Sequence, residues 1–534
     1  MKGRNYTNIL LAVGFLICLL QIWLPEYYLT GDGPCHVNNA KILHDLWSNQ
    51  NTDFYNRFFT VQYQPNPNWL SSVVIALLLF LVSGAIAEKI FLSIYVLLYL
   101  FGFLLLLKKI SGQTSYWLLI IFAFVFNHVL SKGFYNYAFS VAFYFWVVWS
   151  WIRLLEKRNI PNALLFVLFN FLAFFTHLLA FTFSTFTCAM LAISFALADA
   201  NGDWKNKFVR PLLINGVLLG LLISPFLILM RWFTENQGGL QLRLGIYPHR
   251  LKELIKFSYL TNIDSGETIW VTVTGICFIA FFLIASLIYI QSKSTNKFSG
   301  LLPSLIFAAF VCLFFPEDFL GRLILISMRV QLFVFISLAC CIAYMLPAGK
   351  IMNAAGIMVF IYFLALSIVR IPVRQSASRA ALDITSCAKF IQPNSVVLPL
   401  NFSFNGIDER GNQIADKNWL FVHPAQYIGA EKPLIILDNY EANMGYFPLV
   451  WKENVNPYFH LSQFEGIEGQ PPYANLKDYK ASSGVTVDYI LMWCYDSTAL
   501  KNEHFRQLYA EINTDYHQIY TSASRRTVLY QKNQ

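Results

Sequence analysis

The sequence predicts a mainly α-helical, polytopic membrane protein. A transmembrane helix bundle of about 11–13 spans is expected over 1–374, followed by an extracytoplasmic α/β domain over 375–534. Three observations carry that expectation. Hydrophobic residues make up 56% of the chain and charged residues only 13%, where a soluble domain holds about a quarter charged. So much apolar surface cannot be enclosed by so few charges in water, but it can face lipid. Apolar stretches of membrane-crossing length recur as far as Arg370. From residue 375 the chain turns polar, with short β-like runs between turns.

At the N-terminus, Lys2 and Arg4 precede an apolar run from about Ile9 to Leu24, with no small-residue cleavage site after it. This reads as a retained signal-anchor helix. Apolar segments follow at 69–84, 86–107, 115–131 and 134–152. The run 161–198 is long enough for two helices with a break near His177, and 211–230, 268–290, 300–315, 329–346 and 351–369 complete the set.

The net charge of +9 comes from lysines and arginines in short clusters between these runs. They act as topology determinants; no basic stripe or nucleic-acid motif accompanies them, so nucleic acid is excluded as a partner and membrane lipid is expected. Lys2/Arg4, Lys108/Lys109, Arg153/Lys157/Arg158, Lys205/Lys207/Arg210 and Lys293/Lys297 read as cytoplasmic. Loops 25–68, about 132–134, 231–267 and 316–328 are then external, as is the C-terminal domain. One segment conflicts with this orientation. Residue 68 and Lys108 lie on opposite sides, yet two full spans at 69–84 and 86–107 would return the chain to the same side. Segment 69–84 is therefore expected to re-enter or lie along the surface, or the segment boundaries there to differ.

The large loop 25–68 contains apolar residues at Val37, Ala40, Leu43 and Trp47, one stripe of a helix lying on the membrane. Asp32-Gly33-Pro34 is its start signal. In the C-terminal domain, 395–400, 433–437, 488–493 and 526–530 read as strands and 498–512 as a helix. Of nine cysteines, six sit in apolar runs as packing residues. Cys35, Cys387 and Cys494 show no metal-ligand spacing, and a Cys387–Cys494 disulfide would need an oxidising compartment.

Four places hold residues with chemical potential. Asp32 and His36 open the first loop, in Leu29-Thr-Gly-Asp-Gly-Pro-Cys-His36. Asp32 suits a general base that takes a proton from an acceptor hydroxyl as it attacks a sugar carbon, with His36 hydrogen-bonding acceptor or donor phosphate. The plainer reading is that Asp32 caps the helix. Arg322 and Arg329 flank a second external loop that also holds Glu317 and Asp318. Arg329, assisted by Arg322, suits a lipid phosphate, since a guanidinium fork binds two oxygens; the alternative is interfacial snorkelling with a Glu317/Asp318–Arg322 ion pair. His177 sits at the break in 161–198, where a polar side chain faces a cavity or satisfies freed backbone groups. Lys132, in the turn Ser131-Lys-Gly-Phe-Tyr135, can meet an anionic headgroup or phosphate; otherwise it marks a tight interfacial turn at Gly133. No zinc motif, phosphate loop, dinucleotide fingerprint or serine-hydrolase elbow occurs. No cofactor is expected, with a divalent metal on Asp32, His36 and His44 left open.

This layout resembles the GT-C superfamily of integral membrane glycosyltransferases. The likeness rests on a first helix, a long external loop opening with an acid, many further spans and a C-terminal external domain. Asp32-Gly-Pro-Cys-His36 followed by Asn39-Ala40, the 131–137 turn and Thr176-His177 are similar to the bacterial members that use polyprenyl-phosphate sugars. The resemblance implies a polyprenyl-phosphate sugar donor, inverting transfer to a lipid-linked glycan or protein acceptor with Asp32 as base, a donor-phosphate contact at Arg329, and a bacterial inner-membrane location. The family often doubles the acid in this loop, whereas Asp32 is followed by Gly33. A transporter or flippase of lipid-linked glycans and a non-catalytic assembly subunit are the competing readings. The first would be expected to show internal repeats, which the sequence lacks; the second would leave Asp32 away from any cavity.

Overall fold

A computed structural model describes residues 2–112, 115–198, 205–236, 244–261, 263–292, 296–317, 325–347, 349–462 and 464–534. Among these, eight helices are long and apolar enough to cross a membrane, and two shorter apolar helices join them. The chain is a multi-pass helical membrane protein with a small C-terminal sheet. Its main helices are α1 (Lys2–Trp23), α2 (Gly33–Trp47), α3 (Leu70–Leu78), α4 (Gly84–Ser111), α5 (Tyr135–Glu156), α6 (Ile160–Thr176), α7 (Leu178–Ala198), α8 (Arg210–Asn236), α9 (Thr268–Ser292), α10 (Leu301–Phe314), α11 (Ile326–Met345) and α12 (Lys350–Thr385). The expected break at His177 is present: its extended backbone separates α6 from α7.

Two apolar segments depart from expectation. Segment 69–84 forms only the nine-residue α3, about 14 Å long, which is too short to cross. The parity conflict between residue 68 and Lys108 thereby disappears, because α4 alone makes the crossing. Segment 115–131 is not one helix: a 3-10 turn at Tyr116–Phe122 is followed by irregular backbone and the short helix His128–Ser131. From Trp117 to Ser131 every residue is buried. Irregular backbone is tolerated in an apolar setting only where protein covers it. A hydropathy run reports how apolar a segment is, not which hydrogen-bond pattern its backbone takes.

The chain divides into two compact units. The first comprises 1–20, 93–130 and 136–369. At its centre α11 is buried along its whole length. By contrast, α8 exposes Leu213, Val217, Leu221 and Ile228, a stripe at helical spacing suited to lipid. Glu156 pairs with Lys109 and, at 2.8 Å, with Lys297. Two of the basic clusters assigned to the cytoplasmic side thus meet at one carboxylate, which sits in sequence within a third.

The second unit comprises 21–92, 131–135 and 370–534. Helix α12 supplies 36 residues, about 54 Å, well beyond the ~30 Å of a hydrocarbon core; its last turns belong to this unit. The sheet has strands β1 (Ser395–Asn401), β2 (Leu434–Ile436), β3 (Tyr489–Trp493), β4 (Tyr516–Thr521) and β5 (Thr527–Lys532), ordered β2-β1-β3-β5-β4. The first three are mutually parallel, and β5 runs antiparallel to β3 and β4. Strand β1 is buried throughout, as a central parallel strand should be. Its Pro399 is tolerable for a geometric reason. The Val397 carbonyl accepts from Leu437 N–H at 3.0 Å, so alternate residues of β1 turn their backbone toward β2. Pro399 shares that direction but lies beyond the end of β2, where no ladder bond is required. The unexpected strand β4 is a polar edge strand whose only neighbour is β5. All nine cysteines are unpaired, Cys387 and Cys494 included.

Candidate active site

The site grows from the start of α2. Its loop is pressed against the 131–135 turn by two backbone bonds, Gly31 N–H to Ser131 O at 3.1 Å and Asp32 N–H to Lys132 O at 2.9 Å. The approach depends on glycine. Gly133 has φ +90°, and a Cβ there would collide with the Asp32 amide and stand 2.6 Å from that of Gly33; at positive φ a side chain is strained besides. Two motifs a hundred residues apart in sequence are therefore neighbours.

Asp32 stands at the N-cap position but makes no side-chain cap bond, so the helix-capping role is not taken up. Thr30 Oγ1 accepts the Gly33 N–H instead, at 3.0 Å. Freed from that duty, the Asp32 carboxylate accepts a hydrogen bond from Tyr440 Oη at 2.7 Å. Burial pushes its pKa up, against the opposing pull of His423, the Tyr440 bond and His36. His36 has an oxygen at each ring nitrogen: Gly133 O lies 3.0 Å from Nε2, and Glu441 Oε1 lies 3.0 Å from Nδ1, paired by charge without hydrogen-bond alignment. Burial alone would lower the His36 pKa, but the Glu441 carboxylate turns the net direction upward. Lys132 lies over the Trp419 ring at 5.4 Å. Burial lowers its pKa, and the Asp32 charge opposes that.

Helix α2 is present where its stripe predicted it, but it does not lie with a polar face in water. Residues 33–40 and 42–45 are buried. Asn39 Nδ2 donates to Glu441 Oε2 at 2.9 Å and to Asn439 Oδ1 at 3.3 Å, while Asn439 Nδ2 donates back to Asn39 Oδ1 at 2.6 Å. The polar face is thus satisfied by protein groups, as burial requires. His44, raised above as a metal candidate, has Nδ1 2.9 Å from Asp45 Oδ1, and Asp45 also pairs with Lys41 at 2.5 Å.

Several buried polar side chains around this site escaped sequence reasoning. Glu88 is fully buried and accepts from Tyr135 Oη at 2.5 Å and Tyr427 Oη at 2.7 Å. Arg374, in the last turns of α12, donates to Leu29 O and Ser131 Oγ, both at 2.6 Å, clamping the loop and the turn. His423, Asp438, Tyr440 and Glu441 come from the C-terminal domain. A charged residue inside an apolar run is the one local signal that marked Glu88; the others are isolated polar residues in polar sequence.

His177 and Arg329 belong to the first unit, where Tyr137 links them. Tyr137 Oη donates to the Arg329 carbonyl at 2.5 Å, the Arg329 guanidinium carbon lies 5.8 Å from the Tyr137 ring centre, and His177 meets that ring edge-on at 5.2 Å. His177 Nδ1 also accepts the Leu179 N–H at 3.1 Å, so the histidine repairs part of the helix break it occupies. Glu317 pairs with the buried Arg250 at 3.1 Å and accepts the Ser327 N–H at 3.2 Å. Arg322 and Asp318 lie outside the described residues. Among the described residues, no group of three or more histidine, cysteine or acidic side chains is placed to hold a metal ion.

No family model matches the chain, and no curated protein matches it by sequence. Among solved structures it is similar to the crystal structure of ArnT from Cupriavidus metallidurans bound to undecaprenyl phosphate. The match covers 98% of each chain, with a TM-score of 0.54 and 9% sequence identity. At that identity the likeness concerns the fold, and the chain has a GT-C-like fold.

Proposed function

We propose that this chain is an inverting membrane glycosyltransferase that moves a sugar from a polyprenyl-phosphate donor to an acceptor hydroxyl on a lipid-linked glycan or protein. The observation that carries this reading is the state of Asp32: a buried carboxylate at the head of the first loop, relieved of helix capping, raised in pKa and held by a single tyrosine hydroxyl. A base with raised proton affinity is what hydroxyl activation near neutral pH calls for. The acceptor oxygen bonds to the anomeric carbon as Asp32 takes its proton. The bond from that carbon to the phosphate oxygen breaks, and the electron pair leaves with polyprenyl phosphate. Arg329, with Arg322, is assigned to the donor phosphate, whose growing charge a guanidinium stabilises. Lys132 serves as a further cation for phosphate or headgroup. His36 and His177 contribute to substrate binding.

The donor class is supported by the occurrence of undecaprenyl phosphate in a protein of the same fold. The bacterial inner membrane, with the C-terminal domain outside, is the setting such a donor implies. Asp32→Asn in the purified full chain tests the reading. Transfer from undecaprenyl-phosphate sugars should fall by about a hundredfold or more, and full retained transfer would sink it. Transfer should also survive chelation by EDTA, because each His36 ring nitrogen already faces a protein oxygen, Gly133 O at Nε2 and the Glu441 carboxylate at Nδ1. A chelator-sensitive rate restored by added divalent metal would reverse that assignment.

A further inference from the structure

Behind Tyr440 the second unit holds a closed circuit of buried polar groups. The Tyr440 ring stacks on His423, with centres 5.0 Å apart and planes at 15°. His423 Nδ1 lies 3.2 Å from Asp438 Oδ2. Asp438 Oδ1 accepts from Gln426 Nε2 at 2.6 Å, and Gln426 Oε1 accepts from Asn38 Nδ2 at 2.5 Å. Asn38 lies on α2, less than two turns beyond Asp32, so the circuit returns to the helix it left. His423, Gln426, Asp438 and Asn38 are all buried. Burying an ion pair and two amides costs stability unless each finds its partner, and none of them is needed to build the neighbouring sheet.

We infer that Tyr440, His423 and Asp438 form a positioning relay for Asp32, in which Tyr440 fixes the carboxylate and the His423–Asp438 pair supplies the nearby positive charge that stabilises it. The inference rests on the reading of Asp32 as the base and adds the C-terminal domain to that base's machinery. The groups facing Asp32 are His36 and Cys35 on α2, Lys132 on the 131–135 turn, Tyr440 and Glu441 after β2, and His423 and Glu468 elsewhere in the domain. His423 in turn faces Asp438, Glu468 and Asp32. Burial opposes its charge, yet the bond to Asp438 and these carboxylates raise its pKa to about 9. The Asp438 contact and the Tyr440 stack hold the His423 ring directly behind the hydroxyl that bonds Asp32. Removing the His423 charge leaves only His36 and Lys132 to offset Glu441 and Glu468 around Asp32, which favours its protonated form. The effect belongs on the acid side, where a raised midpoint costs the Asp32 carboxylate its charge earlier as pH falls.

The test is a direct titration of the Asp32 carboxyl stretch by difference infrared spectroscopy on the purified full chain, with Asp32→Asn identifying the band. Tyr440→Phe keeps the ring on His423 and removes only the hydroxyl. It should move the Asp32 midpoint up by about one pH unit. His423→Gln should move it the same way, and Asp438→Asn less far. The acid limb of the rate profile should shift with the Asp32 midpoint in each variant. An Asp32 midpoint unchanged in both Tyr440→Phe and His423→Gln overturns the relay, as does activity lost equally at every pH. Because the spectrum needs no substrate, its result is separate from the transfer assay: full transfer by Asp32→Asn would overturn the base assignment even if the midpoints moved.

Discussion

Gly133 shows how a single backbone position can hold two distant motifs together. Gly133→Ala meets both a positive φ and the Asp32 amide, and should cost on the order of 1–3 kcal/mol along with most transfer activity. Gly484 offers the comparison: it also has positive φ but opens onto empty space, so Gly484→Ala should cost about 1 kcal/mol or less and spare activity. Thermal unfolding in detergent, read beside transfer rate, checks both. Arg329→Lys keeps the charge and loses the planar fork, so donor KM should rise about tenfold or more with a smaller change for acceptor; an unchanged donor KM would remove Arg329 from the phosphate. Asp32, His36 and His177 were legible in the sequence because an acid beside a start signal and a histidine amid apolar residues are local events. Tyr440 was not, because the bond that makes it matter joins residues 408 positions apart.

Among the elements, the long spans were the most legible, since length and hydropathy mark a helix able to cross a bilayer, whereas 69–84 and 115–131 were as apolar and form no such helix. The surroundings of α2 were harder to read. Its apolar stripe is real, but Asn38, Asn39 and His36 opposite meet Gln426, Asn439 and Glu441 of the C-terminal domain, so an amphipathic pattern stood for a buried helix. Asn39→Ala should consequently destabilise by about 1–3 kcal/mol, the cost of leaving buried partners unpaired. In the Asn39→Leu/Asn439→Leu pair the double variant should recover part of either single loss, which a double-mutant cycle of unfolding midpoints would measure. The edge strand β4 was missed for the opposite reason: Tyr516-His-Gln-Ile-Tyr-Thr521 has no apolar alternation, and its strand form comes from bonding to β5.

For the whole chain, composition decided the class, and the basic clusters give an expected orientation. That orientation is open to a direct check. Glu409 is exposed in the C-terminal domain and Lys157 is exposed between α5 and α6. Glu409→Cys should react with a membrane-impermeant maleimide in cells with a permeabilised outer membrane, and Lys157→Cys only after the inner membrane is opened. The native cysteines are buried or half-buried, so background labelling should be low. The reverse pattern would invert the protein and remove Asp32 from the outer face.

The stretch from Trp117 to Ser131 bears on how the protein is made. A translocating chain enters lipid as helices, each closing its own backbone hydrogen bonds. This segment ends as a 3-10 turn and irregular backbone, and cannot rest in lipid in that form. Its final shape must therefore be acquired after its neighbours arrive, among them α12, whose Asn353 Oδ1 accepts the Tyr116 N–H at 3.1 Å. Biogenesis then has a late remodelling step, and chains stalled before residue 350 should leave this segment open to proteases that the finished protein excludes.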